Sequence, residues 1–280
     1  MRGSEFIAAN AGKSLSQWET SALALIQSGA PVDPGWPLVP VQVMSRPDAS
    51  GSVKHSGTFF VAADYFAIGT PEDYVRLPLT PSIAQRIANA KGMLLPTSKM
   101  VEDIWRAGEK LTPEPMVPNK GANLAQYAEH SRAIDAQLRS AFAIHPMNSA
   151  VPLSGHKKDV ILSNIWKPGK VVIYGWYRPD GTHIQPKSNI HGDFYVDYSH
   201  GIRLVSPTMI VDGQNMNVED VLKSPIYAGV LSDEGPLVRT RYPTPAGATT
   251  PASLIAAATS ASGRVSYYKL GTSVLLGRVA

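Results

Sequence analysis

The stretch NIHGDFYVDYSHGIRLV, residues 189–205, concentrates side chains that can move protons. It holds two histidines, His191 and His200, each followed by a glycine, with Asp193 and Asp197 between them. An imidazole can take a proton from a hydroxyl group or a water, and a neighbouring carboxylate can fix its tautomer and stabilise its charged form. We therefore expect His200 or His191 to be a general base that Asp197 or Asp193 orients.

The backbone between the two histidines decides whether they can share a site. Nine residues of extended strand span roughly 30 Å, which is too far for two side chains to act on one bond. A shared site requires a turn or bulge, and Gly192 and Gly201 are the places where the chain could bend. If residues 193–200 instead form a regular strand, His200 lies on its more apolar face as a hydrogen-bonded core residue.

Two short motifs in this stretch resemble the signature of the bacterial L,D-transpeptidases. In that family a histidine and a glycine are followed, after a gap, by Ser-His-Gly-Cys and an arginine, and here IHG at 190–192 and SHGIRL at 199–204 are similar. The reactive group of the family is the cysteine thiolate. Ile202 stands at that position and the chain has no cysteine, so transpeptidase activity is rejected, together with disulfides and thiolate metal sites.

Other polar residues complete a hypothetical hydrolytic site between 154 and 203. Arg203 would stabilise developing negative charge, and the nucleophile would be Ser199 or an activated water. Ser154 and Lys157 have the Ser-x-x-Lys spacing in which a lysine activates a serine. Solvated lysines in a loop are the preferred explanation, because the Ser-Asp-Asn and Lys-Thr-Gly motifs that accompany that spacing do not appear in suitable form.

The same part of the chain offers ligands for a metal. No cofactor is expected, but imidazole and carboxylate groups of the kind zinc accepts are present. The candidate ligands are His156, Asp159, His191 and Asp193. No His-Glu-x-x-His or His-x-His motif supports them.

Aromatic side chains just upstream could bind a substrate. Tyr174, Trp176 and Tyr177 follow one another closely, and a strand would place Tyr174 and Trp176 on one face as a platform for a sugar or a peptide, with Lys157 nearby. Cross-strand packing is the alternative interpretation. Such a platform would also suit a non-catalytic, secreted glycan- or peptide-binding module.

Composition limits the class of partner. Hydrophobic residues make up 44% of the 280 residues and the net charge is +4, which favours a folded chain. Lysine and arginine do not cluster, which argues against nucleic acid, and no apolar run is long enough to span a membrane. The low charged fraction of 17% favours a secreted or periplasmic protein. The concentration of His, Asp, Ser, Tyr and Arg in 154–203, inside an otherwise apolar region, favours a hydrolase that cleaves amide or ester bonds in a polymer such as cell-wall peptide. The oligomeric state stays open.

Periodicity predicts an α+β fold, with helices mainly in the first half and a largely antiparallel β-sheet in the second half. Residues 158–228 alternate continuously and should form one sheet. The first helix should begin at Ser16 with a capping box to Glu19. Thr80 as cap and Pro81 at the first helical position predict a helix over 81–91. This helix and a second one over 123–139 should be scaffold, with Gln85 and Gln137 exposed.

The predicted organisation has four parts. Residues 1–13 are interpreted as vector residue and a flexible start, and 14–242 as a single α+β domain. Residues 243–263 are interpreted as a linker-like arm, because they are rich in Ala, Thr, Ser and Pro, and 264–280 as a C-terminal strand segment that docks back.

We expect limited proteolysis to cut first within 243–262, because a linker offers its backbone to a protease more readily than a packed sheet does. Mass spectrometry of the early fragments would locate the cuts. Early cleavage inside 170–205 would show that the sequence misplaces the core.

Overall fold

The helices and strands were assigned in a computed structural model that describes residues 1–46 and 53–244. The helices in these ranges are α1 (Gly3–Ala9), α2 (Leu15–Gln27), α3 (Pro81–Ala90), α4 (Ser98–Ala107), α5 (Leu124–Gln137) and α6 (Val218–Lys223). The strands are β1 (Leu38–Met44), β2 (Ser56–Ala62), β3 (Ala67–Thr70), β4 (Asp73–Arg76), β5 (Glu109–Lys110), β6 (Leu153–Ser154), β7 (Lys158–Val160), β8 (Ile173–Tyr177), β9 (His183–Ser188), β10 (His200–Gly201), β11 (Val205–Val211) and β12 (Gln214–Asn217). A π-helical turn, Leu138–Phe142, continues α5.

Two four-stranded sheets organise the fold. Sheet I has the order β1-β2-β11-β12 and is antiparallel throughout, whereas sheet II has the order β10-β7-β8-β9. In sheet II only the β10–β7 pair is parallel, with His200 opposite Lys158. The α+β class is confirmed, and the helices of the described residues lie mainly in the first half.

The prediction of one sheet over 158–228 is wrong. The hairpin of β11 and β12 belongs to sheet I, where Met209 lies opposite Phe59 and Val205 opposite Val61. Alternation shows which side chains of a strand face the core, but it does not show which strand is the neighbour. The stretch therefore contributes to both sheets.

Alternation in β1 explains how sheet I covers its core. Val39, Val41 and Val43 are buried, while the residues between them face outward. Period-two burial of β-branched residues is typical of a sheet with one covered face.

The cap of helix α2 lies two residues earlier than the sequence predicted. Ser14 and Gln17 form the capping box, so the proposed pair of Ser16 and Glu19 is wrong. Glu19 is instead buried, and its carboxylate accepts hydrogen bonds from the backbone nitrogen and the hydroxyl of Thr80. Burial raises the pKa of Glu19 to about 7. This residue therefore ties α2 to the start of α3.

Helix α3 begins as predicted, with Thr80 as N-cap and Pro81 in the first turn. Its Gln85, however, is fully buried. The amide of Gln85 donates to Asn89 and accepts from the backbone nitrogen of Tyr242. Gln85 thus holds the end of the described chain against α3, which an exposed scaffold residue would not do.

The first residues pack against the fold instead of forming a flexible start. Phe6 is buried, and Ser4 donates through its backbone nitrogen and hydroxyl to the carboxylate of Asp73. The interpretations of 243–263 and 264–280 fall almost entirely outside the described residues. Among the residues that are described, the helices are too short or too polar to cross a membrane.

A buried ion pair joins the early strands to α5. Asp64, after β2, and Arg76, at the end of β4, are both fully buried, with 2.6 Å between Oδ2 and Nη2. The guanidinium also donates to Asp135, and Asp64 also lies 3.2 Å from Nε2 of His156. Burial by itself would raise the pKa of Asp64, but Arg76 and His156 hold it well below its ordinary value.

We expect Asp64→Ala to lower the free energy of unfolding by about 3–5 kcal/mol, because it leaves the buried guanidinium without its main counter-charge. Arg2→Ala is the matched control, since it breaks the exposed Arg2–Glu5 pair and should cost less than about 1 kcal/mol. Urea denaturation of both variants measures the difference. Equal effects would contradict this account of the ion pair.

Candidate functional site

The pairing of β10 with β7 brings Asp197 to Lys158. Asp197 lies in the loop before β10, and the backbone nitrogen of Lys158 donates to the carbonyl of Ser199 at 2.8 Å. With His200 opposite Lys158 in the parallel register, Nζ of Lys158 reaches Oδ2 of Asp197 at 3.1 Å. The lysine side chain is 6% exposed and the aspartate 2%. The pair therefore sits just beneath the surface.

The carboxylate of Asp197 collects donors from four further groups. Oδ1 accepts from the backbone nitrogen and hydroxyl of Ser199, at 2.9 and 2.6 Å. Oδ2 accepts from the hydroxyl of Tyr195 at 2.8 Å and the amide of Asn119 at 3.1 Å. Burial alone would raise the pKa of Asp197, but its hydrogen bonds and the charge of Lys158 hold it well below its ordinary value. Asp197 is therefore a fixed negative charge.

His200 is completely buried beside this carboxylate. Its Nδ1 lies 3.2 Å from Oδ1 of Asp197 and 3.1 Å from the backbone nitrogen of Asp197. Nε2 has no partner among the described residues. Burial lowers the pKa of His200 to about 4, so the imidazole is neutral at neutral pH. It can orient the site but does not meet a substrate in this conformation.

Ser199 is not arranged as a nucleophile. Its hydroxyl donates to Asp197, and the residue is buried. An activated serine would donate to the imidazole of a base instead. Of the two nucleophiles that the sequence left open, this geometry favours water.

His191 supplies the accessible imidazole of the site. Its ring stacks on Tyr195 at a centroid distance of 3.8 Å, with 10° between the planes, and the residue is half-exposed. Partial burial and the charges of Lys158 and Lys170 lower its pKa below the ordinary 6.5, while Asp197 opposes them. His191 is therefore mainly neutral at neutral pH, as a general base must be.

The two histidines come together because the loop turns. The backbone nitrogen of Tyr195 donates to the carbonyl of Gly192, so residues 193–199 do not form the regular strand considered from the sequence. The ring of Tyr195 lies 3.8 Å from His191 and 5.4 Å from His200. The two imidazoles are thus closer than the limit of about 12 Å for a shared site.

Gly201 is not the site of the bend that the sequence predicted. It lies in β10, where a Cβ atom would stand 2.5 Å from the ring of Tyr65. The hydroxyl of Tyr65 donates to Asp159 on β7 at 2.9 Å. Glycine is required at 201 so that this ring can pack against the strand.

Two loops border the exposed side of the cluster. One loop holds His191 and Tyr195, and the other holds Met116 and Asn119. The backbone nitrogen of Met116 donates to the hydroxyl of Tyr198, and Asn119 reaches Asp197. These contacts tie the loop of Met116 and Asn119 to the cluster, and His191 and Tyr195 are its partly exposed members.

Arg203 and Lys157 do not serve the roles expected of them. Arg203 is fully buried, donates to the carbonyls of Ala62 and Leu153, and lies over the ring of Tyr65 at 3.8 Å. A guanidinium bound to backbone carbonyls inside the core does not meet developing charge on a substrate.

Lys157 is buried as well, so it does not contact a substrate. Its Nζ donates to the carbonyl of Tyr198 and lies 3.2 Å from Nδ1 of His130. Burial lowers the pKa of Lys157 to about 7. Ser154 donates to the carbonyl of Glu109, so the two residues of the Ser-x-x-Lys motif have different partners.

The aromatic platform predicted at β8 is buried. Tyr174, Trp176 and Tyr177 are each less than a tenth exposed. Trp176 has a φ of +56°, which interrupts the alternation of the strand and separates its ring from the other two. Tyr174 and Tyr177 pack edge to face at 6.0 Å, while Trp176 faces Tyr198. These three rings therefore pack inside the protein, as the alternative interpretation of the sequence proposed.

The four candidate metal ligands lie in separate environments. His156 contacts Asp64, Asp159 contacts Tyr65, and His191 stacks on Tyr195. Asp193 is exposed, and its backbone nitrogen donates to the carbonyl of Gly169. Within residues 1–46 and 53–244, no group of three or more His, Asp or Glu side chains is arranged to hold a metal ion.

The sequence interpretation missed three residues of the cluster: Lys158, Tyr195 and Asn119. The sequence does not identify Lys158 as a member of the site, because only the parallel pairing of β10 with β7 places it beside Asp197. The spacing of Tyr195 and Asp197 places them on one face of a strand, but that signal did not identify Tyr195 as a member of the site. Nothing in the sequence connects Asn119 with Asp197, which follows 78 positions later.

No family model matches the chain, and neither the curated proteins nor the solved structures contain a match. Function must therefore be inferred from the geometry and chemistry of the site itself.

The low pKa of His200 makes stability depend on pH. Its folded-state pKa of about 4 lies below the ordinary 6.5, so between these pH values the unfolded chain binds a proton that the buried imidazole does not. The stability that the neutral imidazole contributes is therefore complete above pH 6.5 and is lost as the pH falls toward 4. Glu19 and Asp159, whose pKa values burial raises to about 7, change stability in the opposite direction. A comparison of variants separates these effects.

We expect the stability difference between wild type and His200→Gln to shrink by roughly 3 kcal/mol as the pH falls from 6.5 to about 4. Urea denaturation at a series of pH values measures it. His183→Gln, at an exposed position on β9, is the control and should keep the wild-type profile. A pH-independent difference for His200→Gln would contradict the assigned burial.

Proposed function

We propose that the protein is a hydrolase that cleaves amide or ester bonds in a polymer. The single observation that carries the proposal is the accessible imidazole of His191, stacked on Tyr195 beside the Lys158–Asp197 pair. A neutral base at the surface and a fixed cation close to it are the two groups that hydrolysis by water needs. The resulting roles differ in part from those inferred from the sequence.

His191 acts as the general base on a water. Stacking on Tyr195 restricts rotation of the imidazole, and the hydroxyl of Tyr195 is itself held by Asp197. A base fixed in orientation takes its proton without first losing rotational freedom. In this scheme Asp197 acts through Tyr195 and Lys158, and it is a positioning residue.

Lys158 is too deeply buried to contact the substrate, so its ammonium group acts on the negative charge that develops on the carbonyl oxygen only through its electric field. Its Nζ lies 5.3 Å from the centre of the Tyr195 ring and is largely shielded from solvent. A cation shielded from water interacts with developing charge more strongly than an exposed cation does. Burial lowers the pKa of Lys158, while Asp197 opposes that change and favours the charged form.

The shape of the surface supports a polymeric substrate. His191 is only partly buried, and Asp193 and Phe194 beside it are exposed. Sites for small molecules usually bury most of the ligand, whereas an extended chain can lie across such a face. Cell-wall peptide is the candidate polymer, and secretion or a periplasmic location is part of the same proposal, supported by the low charged fraction of 17%.

A non-catalytic binding module is the second candidate. Ile190 and Phe194 expose apolar side chains on the loop that holds His191. Exposed apolar groups at a loop surface are typical of recognition. Binding does not require a neutral base, so the two candidates differ in what His191 contributes.

We expect the protein to release soluble fragments from purified peptidoglycan sacculi, and His191→Ala to lower that rate at least about 100-fold, the usual scale for the loss of a general base. Mass spectrometry of the products and an ester probe, p-nitrophenyl acetate, measure the two bond types. His55→Ala is the matched control, because His55 pairs with the exposed Asp212 outside the site.

Cosedimentation with sacculi separates the two candidates. If the protein is a hydrolase, the His191→Ala variant should still bind the sacculi but should no longer cleave them. Wild type that binds without cleaving would support the binding module, and turnover that is unchanged in His191→Ala would contradict the role of this histidine.

A further inference from the structure

The most exposed large apolar side chains of the described residues lie on loops that hydrogen bonds connect to the proposed site. Elsewhere in these residues none exceeds 64% exposure. The four with greater exposure are Val117 at 94%, Val238 at 84%, Phe194 at 75% and Ile190 at 73%. Single exposed apolar residues are normal, but the concentration of the four highest values near His191 requires an explanation.

Hydrogen bonds join the loops that hold these residues. Asn189, next to Ile190, donates to the carbonyl of Ile165 at 2.5 Å. The backbone nitrogen of Val238 donates to Oδ1 of Asn164 at 2.9 Å, and Asn164 directly precedes Ile165. Ile165 is itself 39% exposed. Ile190, Ile165 and Val238 therefore lie on loops that are joined to one another, and we call these joined loops the edge.

The edge continues past His191 to the second loop. Phe194 follows two residues after Gly192, where a Cβ atom would lie 3.1 Å from the phenylalanine ring. Asn119, two residues after Val117, shares Oδ2 of Asp197 with Tyr195. We call the five residues Val117, Ile165, Ile190, Phe194 and Val238 the apolar rim.

Cationic side chains accompany the rim. Lys170 donates to the carbonyl of Ile190 at 2.8 Å, and Lys167 is exposed in the same loop as Ile165. Arg239, next to Val238, is exposed and lies over the ring of Trp166 at 5.2 Å. Asp193 is the exposed acid on the loop of Phe194. Glu234, which accepts from the backbone nitrogen of Asn164, is largely buried and paired with Lys187. Positive charge therefore predominates among the exposed groups around the rim.

We infer that the apolar rim and its cations dock the face carrying His191 on an anionic lipid surface. Exposed apolar tips enter the boundary between headgroups and acyl chains, while lysine and arginine remain beside anionic headgroups. Trp166 adds an amphipathic ring of the type that lies at this interface. The charge of the rim complements an anionic surface, and an uncharged apolar partner would not require it.

Docking and polymer binding use the same face, so one excludes the other at any moment, but docking does not depend on the catalytic role of His191. The rim does not include this residue. Binding to lipid and cleavage of a polymer can therefore be measured separately, and either can fail while the other holds.

The test is cosedimentation of the full chain with vesicles of phosphatidylcholine, with or without about 30% phosphatidylglycerol. We expect binding to the anionic vesicles that weakens as salt is raised, because salt screens the attraction. The double variant I190S/F194S should lower the partition coefficient at least about 10-fold, since it removes two insertable side chains. K167Q/R239Q should lower it about 10-fold or more on anionic vesicles only.

Ile226→Ser is the matched control, because Ile226 is 64% exposed but lies outside the rim. It should bind as wild type does, and circular dichroism should show that all variants keep the fold. Absence of binding to anionic vesicles, or equal binding by I190S/F194S and wild type, would overturn the inference. A wild-type dimer in sedimentation velocity that I190S/F194S dissociates would assign the rim to a second copy of the chain and overturn it too.

Discussion

The interaction on which the proposed site depends is the contact of the Asp197 carboxylate with Lys158. Asp197 lies in a loop and Lys158 begins β7, so their contact connects the loop that carries His191 to sheet II. Two charges just below the surface would each be costly alone, and together with the donors on Ser199 and Tyr195 they satisfy one another. The same contacts that hold the loop therefore fix the cation and the ring on which His191 stacks.

The polar residues behind the site have a structural role. Asp159 binds Tyr65, whose ring contacts Arg203 and packs against Gly201, and Arg203 closes onto backbone carbonyls. Few of these groups face water, so removing one would leave another buried without a partner. These contacts hold β10 against β7 and thereby fix the position of the preceding loop on sheet II.

The sequence was informative where local chemistry decides the structure. Thr80 and Pro81 predicted the start of α3, and the alternation of Val39, Val41 and Val43 agrees with a strand that has one covered face. The histidines and Asp197 were recognised as candidates because their types are unusual in an apolar region. Their neighbours depend on long-range pairing, which is why Lys158 was overlooked and why Arg203, buried against carbonyls, was misassigned.

The central claim is that His191 belongs to one electrostatic unit with Lys158 and Asp197, and the pKa of His191 measures it most directly. Nuclear magnetic resonance titration of its imidazole protons, in wild type and in Lys158→Gln, requires no knowledge of the substrate. Partial burial and the charge of Lys158 should hold the wild-type pKa below 6.5, and removal of that charge should raise it toward 6.5. A pKa at the ordinary value in wild type, unchanged in Lys158→Gln, would contradict the account.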